Sequence, residues 1–223
     1  MDPEVLRKTN HAYADLVQPY LSKERKLQVD IGCDTGVFVD QSRFLGYVRR
    51  VGIEPGVASS VKARENSGAE VMQKLFETGD FQAGTIGFAS LIHVLDHIVD
   101  PRQLIREVHS RLAPDGTILA VVHNIDSFVA KISGESWAPL NLVHMDYFTP
   151  KTLRRLFELE GYEVQKVTGT WNYFPLHHLI RFSPFVPGFL RSRLVSLAKS
   201  PGLRSVVLGL KLGNIAIVAK RRA

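Results

Sequence analysis

The stretch Leu27 to Glu54, LQVDIGCDTGVFVDQSRFLGYVRRVGIE, constrains the fold more than any other part of the chain. Leu27, Val29 and Ile31 form a short apolar run that ends in glycine, the pattern of a buried strand. Gly32-Cys33-Asp34-Thr35-Gly36 then turns the chain, and Val37 to Leu45 carries apolar residues at helical spacing. A second apolar run (Val48, Val51, Ile53) stops at Glu54. Strand, glycine-containing turn, helix and a second strand with a terminal acid make one half of a nucleotide-binding α/β unit. Gly32 allows the tight turn, Gly36 is expected to let a ligand approach the helix N-terminus, and Glu54 is placed to accept from ribose hydroxyls.

Spacing separates two ligand classes. A dinucleotide fingerprint, G-x-G-x-x-G, needs glycines at 34 and 37, where this chain has Asp34 and Val37. That disfavours a nicotinamide-dependent oxidoreductase. With Asp30 in front, the segment instead resembles motif I of the class I S-adenosylmethionine (SAM) methyltransferases, an acid followed by G-x-G-x-G: Asp30, Gly32, Asp34 in place of the middle glycine, and Gly36. Asp tolerates a left-handed backbone better than most residues, so the turn can survive the replacement. The resemblance implies SAM as cofactor, held by Asp30, Gly32, Asp34, Gly36 and Glu54. Asp34 would either weaken SAM binding as a buried charge or attract the ammonium end of SAM.

Later segments carry the resemblance further. Ile92 to Asn124, IHVLDHIVDPRQLIREVHSRLAPDGTILAVVHN, is similar to the part of the ubiquinone-biosynthesis-like methyltransferases that typically reads HVLEH, then DP, a helix, LKPGG and a strand ending in PN. Asp96 replaces the Glu, Asp115 the first Gly and His123 the Pro, and Gly87 stands where an Asp often opens the fourth strand. Trp137, His144, Tyr147-Phe148, a helix over 150–160 and Gly161 follow in the order that family shows. The fold expected is α/β, a doubly wound Rossmann-like sheet of seven strands, mostly parallel with an antiparallel last strand. Its strands are read near residues 27–31, 48–53, 69–72, 86–92, 117–122, 162–167 and 214–220. One domain is expected: a helical cap over 1–24, a SAM-binding core over 25–170, a basic, aromatic helical insertion over 171–212, and the last strand and tail over 213–223. Residues 3–22 read as an amphipathic helix bent at Pro19 that either packs on the sheet or closes over a ligand.

At 223 residues, 45% hydrophobic and 22% charged, the chain suits one full core. Its single cysteine, Cys33, excludes an internal disulfide and a cysteine-rich zinc site. No signal-like apolar segment and no run long enough to span a bilayer occurs, so a cytoplasmic protein is expected. Charge is uneven. Nine of the 28 Lys and Arg, and none of the 22 Asp and Glu, lie in 171–223, leaving 19 basic against 22 acidic residues elsewhere. Trp171, Tyr173, Phe174, Phe182, Phe185 and Phe189 accompany that charge, and Leu190, Leu194 and Leu197 share a helical face. Two partners for this face are read equally from the sequence: an anionic membrane surface, peripheral to the inner face, or the acceptor pocket itself, with the helix as a cap that buries the same leucines. The acceptor is expected to be a small or lipid-linked molecule. Nucleic acid is not an expected partner, because the Asp/Asn-Pro-Pro-aromatic motif of nucleic-acid amino-methyltransferases is replaced by His93-Val94-Leu95-Asp96.

Methyl transfer needs little beyond positioning and, for a hydroxyl or acidic carbon, removal of a proton. The catalytic candidates are the histidines expected outside the strand ends, in the order His93, His144, His123; His93 is also expected beside the cofactor. His93 and His97 would share one face of a helix, but spacing supplies no third ligand, so no metal is expected. Asp80 and Phe81, in the loop after the third strand, are the candidates for the adenine amine and ring. The activity this implies is methyl transfer from SAM to oxygen or carbon of a small or lipid-linked metabolite. The alternative is a SAM-binding relative without catalysis.

Overall fold

The computed structural model describes residues 3–183 and 186–222; Phe185 and the side chain of Phe182, both read above as tail aromatics, lie outside the described residues. The chain opens with α1 (Pro3–Val17) and then β1 (Leu27–Ile31), α2 (Val37–Gln41), β2 (Arg49–Ile53), α3 (Val57–Ser67) and β3 (Glu70–Met72). Next come β4 (Ile86–Ile92), α4 (Pro101–Arg111), β5 (Leu112–His123), α5 (Phe128–Ser133), α6 (Pro150–Leu159) and β6 (Tyr162–Gly169). The last elements are β7 (Asn172–Pro175), α7 (Leu176–Phe182), α8 (Gly188–Ala198), β8 (Val207–Leu210) and β9 (Asn214–Arg221).

Seven strands form one sheet in the order β3-β2-β1-β4-β5-β9-β6, parallel except for β9, which runs antiparallel to both β5 and β6. The expected sheet is thus the observed one. Every residue of β1 is buried, because a central parallel strand is covered on both faces. One face packs α1 and α2 through Tyr13, Ala14, Val17 and Phe38 on Phe88, Leu119, Val121 and Val218. The other packs α4 and α6 through Ile105, Val108, Leu153 and Phe157. Strand order reverses direction between β1 and β4, and the crevice beyond their carboxyl ends is where open α/β sheets bind ligands.

Four local expectations are corrected. The first helix ends at Val17, and the chain continues as a 3₁₀ turn over Gln18–Tyr20, since Pro19 lacks the N–H an α-helix needs. Ala113–Gly116 is not a free turn before the fifth strand. It is an irregularity within β5, where Ile86 pairs with Leu112 but Phe88 pairs with Thr117. Gly87 stands where a side chain would crowd the Tyr47 ring, since a Cβ there would sit 3.2 Å from it. The 171–212 insertion is only partly helical: β7 and β8 pair as a separate antiparallel ladder that brackets α7 and α8. That ladder docks on α1, with the Tyr173 N–H donating to Thr9 Oγ1 at 3.0 Å.

Candidate active site

The turn after β1 is built as its sequence implied. Gly32 and Gly36 both take positive φ (69° and 76°), and Asp34 joins them at 44°. A Cβ on Gly32 would lie 2.5 Å from Val94 Cγ2, so the cofactor turn and the turn after β4 pack directly on each other. Gly36 serves another purpose than the one expected. A Cβ there would meet the Ala63 backbone at 2.9 Å, so this glycine admits α3 rather than a ligand.

Glu54, at the end of β2, accepts from the Asp34 N–H (3.0 Å) and the Gly56 N–H (2.7 Å). Each carboxylate oxygen keeps acceptor capacity for a ribose hydroxyl. Asp34 is exposed, not buried, and its side chain accepts from Ser59 Oγ at 3.0 Å, which turns the charge toward α3. Asp30 lies under this turn, buried between Gly52 and Ser90 in register, and accepts from Ser90 Oγ at 2.6 Å. Burial, reinforced by the Glu54 charge and opposed by Ser90, pushes its carboxyl up to about 7. Two carboxylates that oppose each other's ionisation suit a cationic ligand, whose charge relieves the repulsion. The ammonium and sulfonium of SAM fit that demand. Cys33 is buried beside them, and its thiol is pushed up by burial and by the Asp30, Glu54 and Asp34 charges, so it stays an unreactive packed group.

The structure gives both adenine candidates partners within the protein. Phe81 is buried in the core and stacks on Phe76 at 6.1 Å between ring centroids. Asp80 accepts from Lys74 Nζ at 2.7 Å and from the Glu77 N–H at 3.1 Å, so it caps its own turn. Residue spacing located the loop correctly but could not say which way its side chains turned.

Beyond β4 the chain gathers four histidines. His93 follows the strand with φ 55°, a left-handed conformation stabilised by its N–H donating to Val121 O at 2.8 Å. Only a short 3₁₀ turn, Leu95–His97, comes after it, so His93 and His97 do not share a helix face. His93 instead packs against His123 (4.6 Å between centroids), and His97 packs against His144 (4.4 Å). His123 and His144 meet edge to face at 4.9 Å and join the two pairs. All three catalytic candidates are therefore together.

Asp96 forms the floor of this cluster at 1% exposure, with Oδ2 4.0 Å from His93 Nδ1 and 3.9 Å from His123 Nε2. Burial pushes its carboxyl up, but the neighbouring His93 and His123 imidazoles outweigh it and hold it below the usual range. At 4.0 Å His93 Nδ1 makes no hydrogen bond to it and has no partner among the described residues. The Asn214 amide spans two rings: Oδ1 lies 2.9 Å from His123 Nδ1, and Nδ2 lies 3.3 Å from His93 Nε2. An amide oxygen only accepts and an amide nitrogen only donates, so His123 carries its proton on Nδ1 and His93 keeps its lone pair on Nε2. Burial and the His93 charge, against Asn214 and Asp96, bring His123 down to about 4, so it is neutral at physiological pH. His144 is lowered by burial and by the His97 charge. Behind Asn214 stands Tyr13 of α1, whose phenol burial pushes up to about 12 against hydrogen bonds with Asn214, Thr170 and Asn172. Asp96, Asn214 and Tyr13 were not singled out as site residues from the sequence. The only local signal was the acid within His93-Val94-Leu95-Asp96-His97.

Residues 5–167 match the model of the Methyltransf_23 family, described as a methyltransferase domain. The chain belongs to this family and is a class I SAM-dependent methyltransferase. No curated protein sequence matches it. Among solved structures, it is similar to a SAM-dependent methyltransferase from Archaeoglobus fulgidus, with 18% identity, a TM-score of 0.64 and coverage of 96% of this chain and 94% of that one. A SAM-dependent methyltransferase from Thermotoga maritima gives 15%, 0.63, 97% and 91% in the same order. The plantazolicin methyltransferase BpumL, solved with S-adenosylhomocysteine, gives 18%, 0.62, 98% and 86%. These likenesses concern the fold. The cofactor is SAM. No helix among the described residues is long and apolar enough to cross a membrane.

Proposed function

We propose that the protein methylates an oxygen or an acidic carbon of a small apolar or lipid-linked acceptor, with His93 as general base. The observation that carries this reading is the position of His93. It sits at the crevice between β1 and β4, next to the residue that packs on Gly32, with its ring between Asp96 and Asn214. SAM, when bound, supplies a methyl group already activated by its sulfonium. The chain's own task is the acceptor's proton. Asp96, 4.0 Å from Nδ1, favours the imidazolium that forms, and Nε2 takes the proton once the acceptor hydroxyl displaces the Asn214 N–H that it accepts from. His123, neutral and tied to Asn214, adds no competing positive charge, and His144 stands further out as the second candidate base.

The acceptor's apolar character rests on the loop that delivers His144. Leu140, Leu142, Val143 and Met145 are all exposed there, beside the imidazole cluster. The tail offers a second apolar surface. On α8 the inward residues are Arg191, Val195 and Ala198, while Phe189, Leu190, Leu194 and Leu197 face outward next to Arg193. Exposed Phe189, Leu197 and Arg193 support contact with an anionic lipid surface, although the apolar residues of α8 are spread round the helix rather than gathered on one face, which leaves a cap over the acceptor as the second reading. Arg191 is not free for such contact, since its guanidinium donates to Ser183 O and Val186 O.

Labelled SAM incubated with fractionated extract of the source organism, followed by mass spectrometry of the labelled product, tests the activity and identifies the acceptor. His93→Asn keeps the left-handed backbone and removes the base. Full turnover by this variant would remove His93 from the role. Co-sedimentation with anionic but not neutral vesicles, lost in high salt and in Arg193→Glu with Lys199→Glu, is the result expected of the tail.

A further inference from the structure

The outer pair of histidines is arranged differently from the inner pair. His97 Nδ1 lies 3.0 Å from the Val143 backbone oxygen, and a carbonyl only accepts, so His97 carries its proton on Nδ1. His144 Nδ1 lies 3.2 Å from Asn141 Oδ1. The Asn141 amide cannot be turned round, because its Oδ1 also accepts from the Val143 N–H (3.0 Å) while its Nδ2 donates to Ala138 O (3.0 Å). His144 therefore carries its proton on Nδ1 as well. Both rings have only the Nε2 lone pair left to offer.

A ring nitrogen of each histidine and a carboxylate oxygen of Asp96 lie within 4.8 Å of one another. Asp96 is buried, and its Oδ1 has no hydrogen-bond partner among the described residues. Two imidazole lone pairs beside a buried carboxylate repel each other unless a cation joins them. We propose that Asp96, His97 and His144 form a site for a divalent transition-metal ion.

The donor set suits Zn²⁺, Co²⁺, Ni²⁺ or Fe²⁺ rather than Mg²⁺ or Ca²⁺, because imidazole selects softer ions. Donating the other ring N–H to a carbonyl oxygen is how metal-bound histidines are usually oriented, and both rings already do so. With metal–ligand bonds of about 2.1 Å, tetrahedral donors stand about 3.4 Å apart, so small side-chain rotations close the set. Ligation through Oδ1 leaves Oδ2 with His93 and His123. Three protein ligands leave a coordination position open for an oxygen of a small molecule. His97 is exposed, which provides a way in, and the ion would tie the loop carrying His144 to the turn after β4. The site stands on this geometry alone and does not depend on His93 acting as a base.

The test uses full-length protein without a histidine tag, stripped with chelator, and titrates Co²⁺ by its visible absorption and Zn²⁺ by competition. One Co²⁺ per chain is expected. His97→Ala and His144→Ala should each weaken binding about tenfold or more. His177→Ala with His178→Ala, which removes the adjacent histidine pair on α7, should leave binding unchanged. Thermal melts check that the variants are folded, and if Asp96→Asn does not fold, the two histidine variants decide alone. No saturable Co²⁺ binding, or equal binding by His97→Ala and His144→Ala, overturns the site. Loss of binding in the α7 variant overturns it too. Metal binding without detectable methyl transfer would keep this site and sink the proposed acceptor chemistry, and the converse result would do the opposite.

Discussion

The two halves of the active site are made in different ways. The cofactor half, Asp30 to Glu54, is one contiguous unit in which backbone shape does most of the work. Two glycines and Asp34 take positive φ, and Glu54 accepts from the Asp34 N–H within the unit and from the Gly56 N–H just after it. The proposed acceptor half is assembled from side chains of the β4 turn, the end of β5, the loop before α6, and β9. Asn214 reaches His93 across 121 positions of sequence. The contrast teaches that binding an invariant cofactor can be encoded locally. The proposed acceptor site depends instead on groups that meet only after the sheet has closed.

The sharpest way to break this comparison is at the base. His93→Asn should lower the rate of methyl transfer about 100-fold or more, with SAM affinity changed far less, measured by single-turnover transfer and by calorimetry. A comparable loss in both would mean that His93 belongs to the cofactor half. Gly32→Ala attacks the seam between the halves. It forces a Cβ into Val94 at positive φ and should cost about 2–4 kcal/mol of stability in denaturant titration, with SAM binding lost as well. An unchanged midpoint would show that the seam is loose.

Glu54→Ala should weaken SAM binding by about 1–3 kcal/mol by calorimetry, through lost bonds to the ribose and a loosened Asp34–Gly56 turn. Glu54→Gln, which keeps one acceptor oxygen, should lose less. An unchanged dissociation constant in Glu54→Ala would remove the ribose role.

Asp30 sharpens the comparison through pH. Its carboxyl sits at about 7, so SAM affinity should rise about tenfold from pH 6 to pH 8 as it ionises. Asp30→Asn should flatten that profile. Stability runs the other way. Folded Asp30 holds its proton above the unfolded value of 3.8, so its contribution is full below that value and is lost as pH rises toward about 7. His123, lowered from 6.5 to about 4, has the opposite sign, and its contribution fades as pH falls from 6.5 to about 4. Asp30→Asn should therefore gain stability relative to the parent at pH 8 more than at pH 4. The smallest effect belongs to Asp34→Gly. Because that carboxylate is exposed and turned to Ser59, SAM affinity should stay within about threefold or rise slightly. A tenfold fall would place Asp34 on the SAM ammonium instead.

Legibility followed how local each feature is. The strands of the sheet and the left-handed turn after β1 could be read because each depends on apolar spacing or glycines within a short segment. Phe81 could not be oriented because an aromatic at a loop position can turn either to a ligand or to the core, and Phe76 five residues earlier gave it a core partner. Gly36 was misread because its constraint comes from Ala63, on a helix that sequence order alone could not bring so close. The β7–β8 ladder was missed because two four-residue strands 31 positions apart carry no mutual signal until they pair. Asn214 looked like the first residue of a strand, and nothing near it announced two histidines.

The amino-acid sequence by itself determined the seven strands of the main sheet, the strand that carries Asp30, the acid at the end of β2 and the family to which the chain belongs. These rest on hydrophobic periodicity and on turns that few residues can adopt, both properties of short segments. Tertiary structure alone decided which partner each histidine nitrogen meets and which oxygen of Asp96 lacks one. It also decided that His97 and His144 face one buried carboxylate. Those properties depend on which donor stands opposite which acceptor, and that is settled only when β4, β5, β9 and the loop before α6 are packed together.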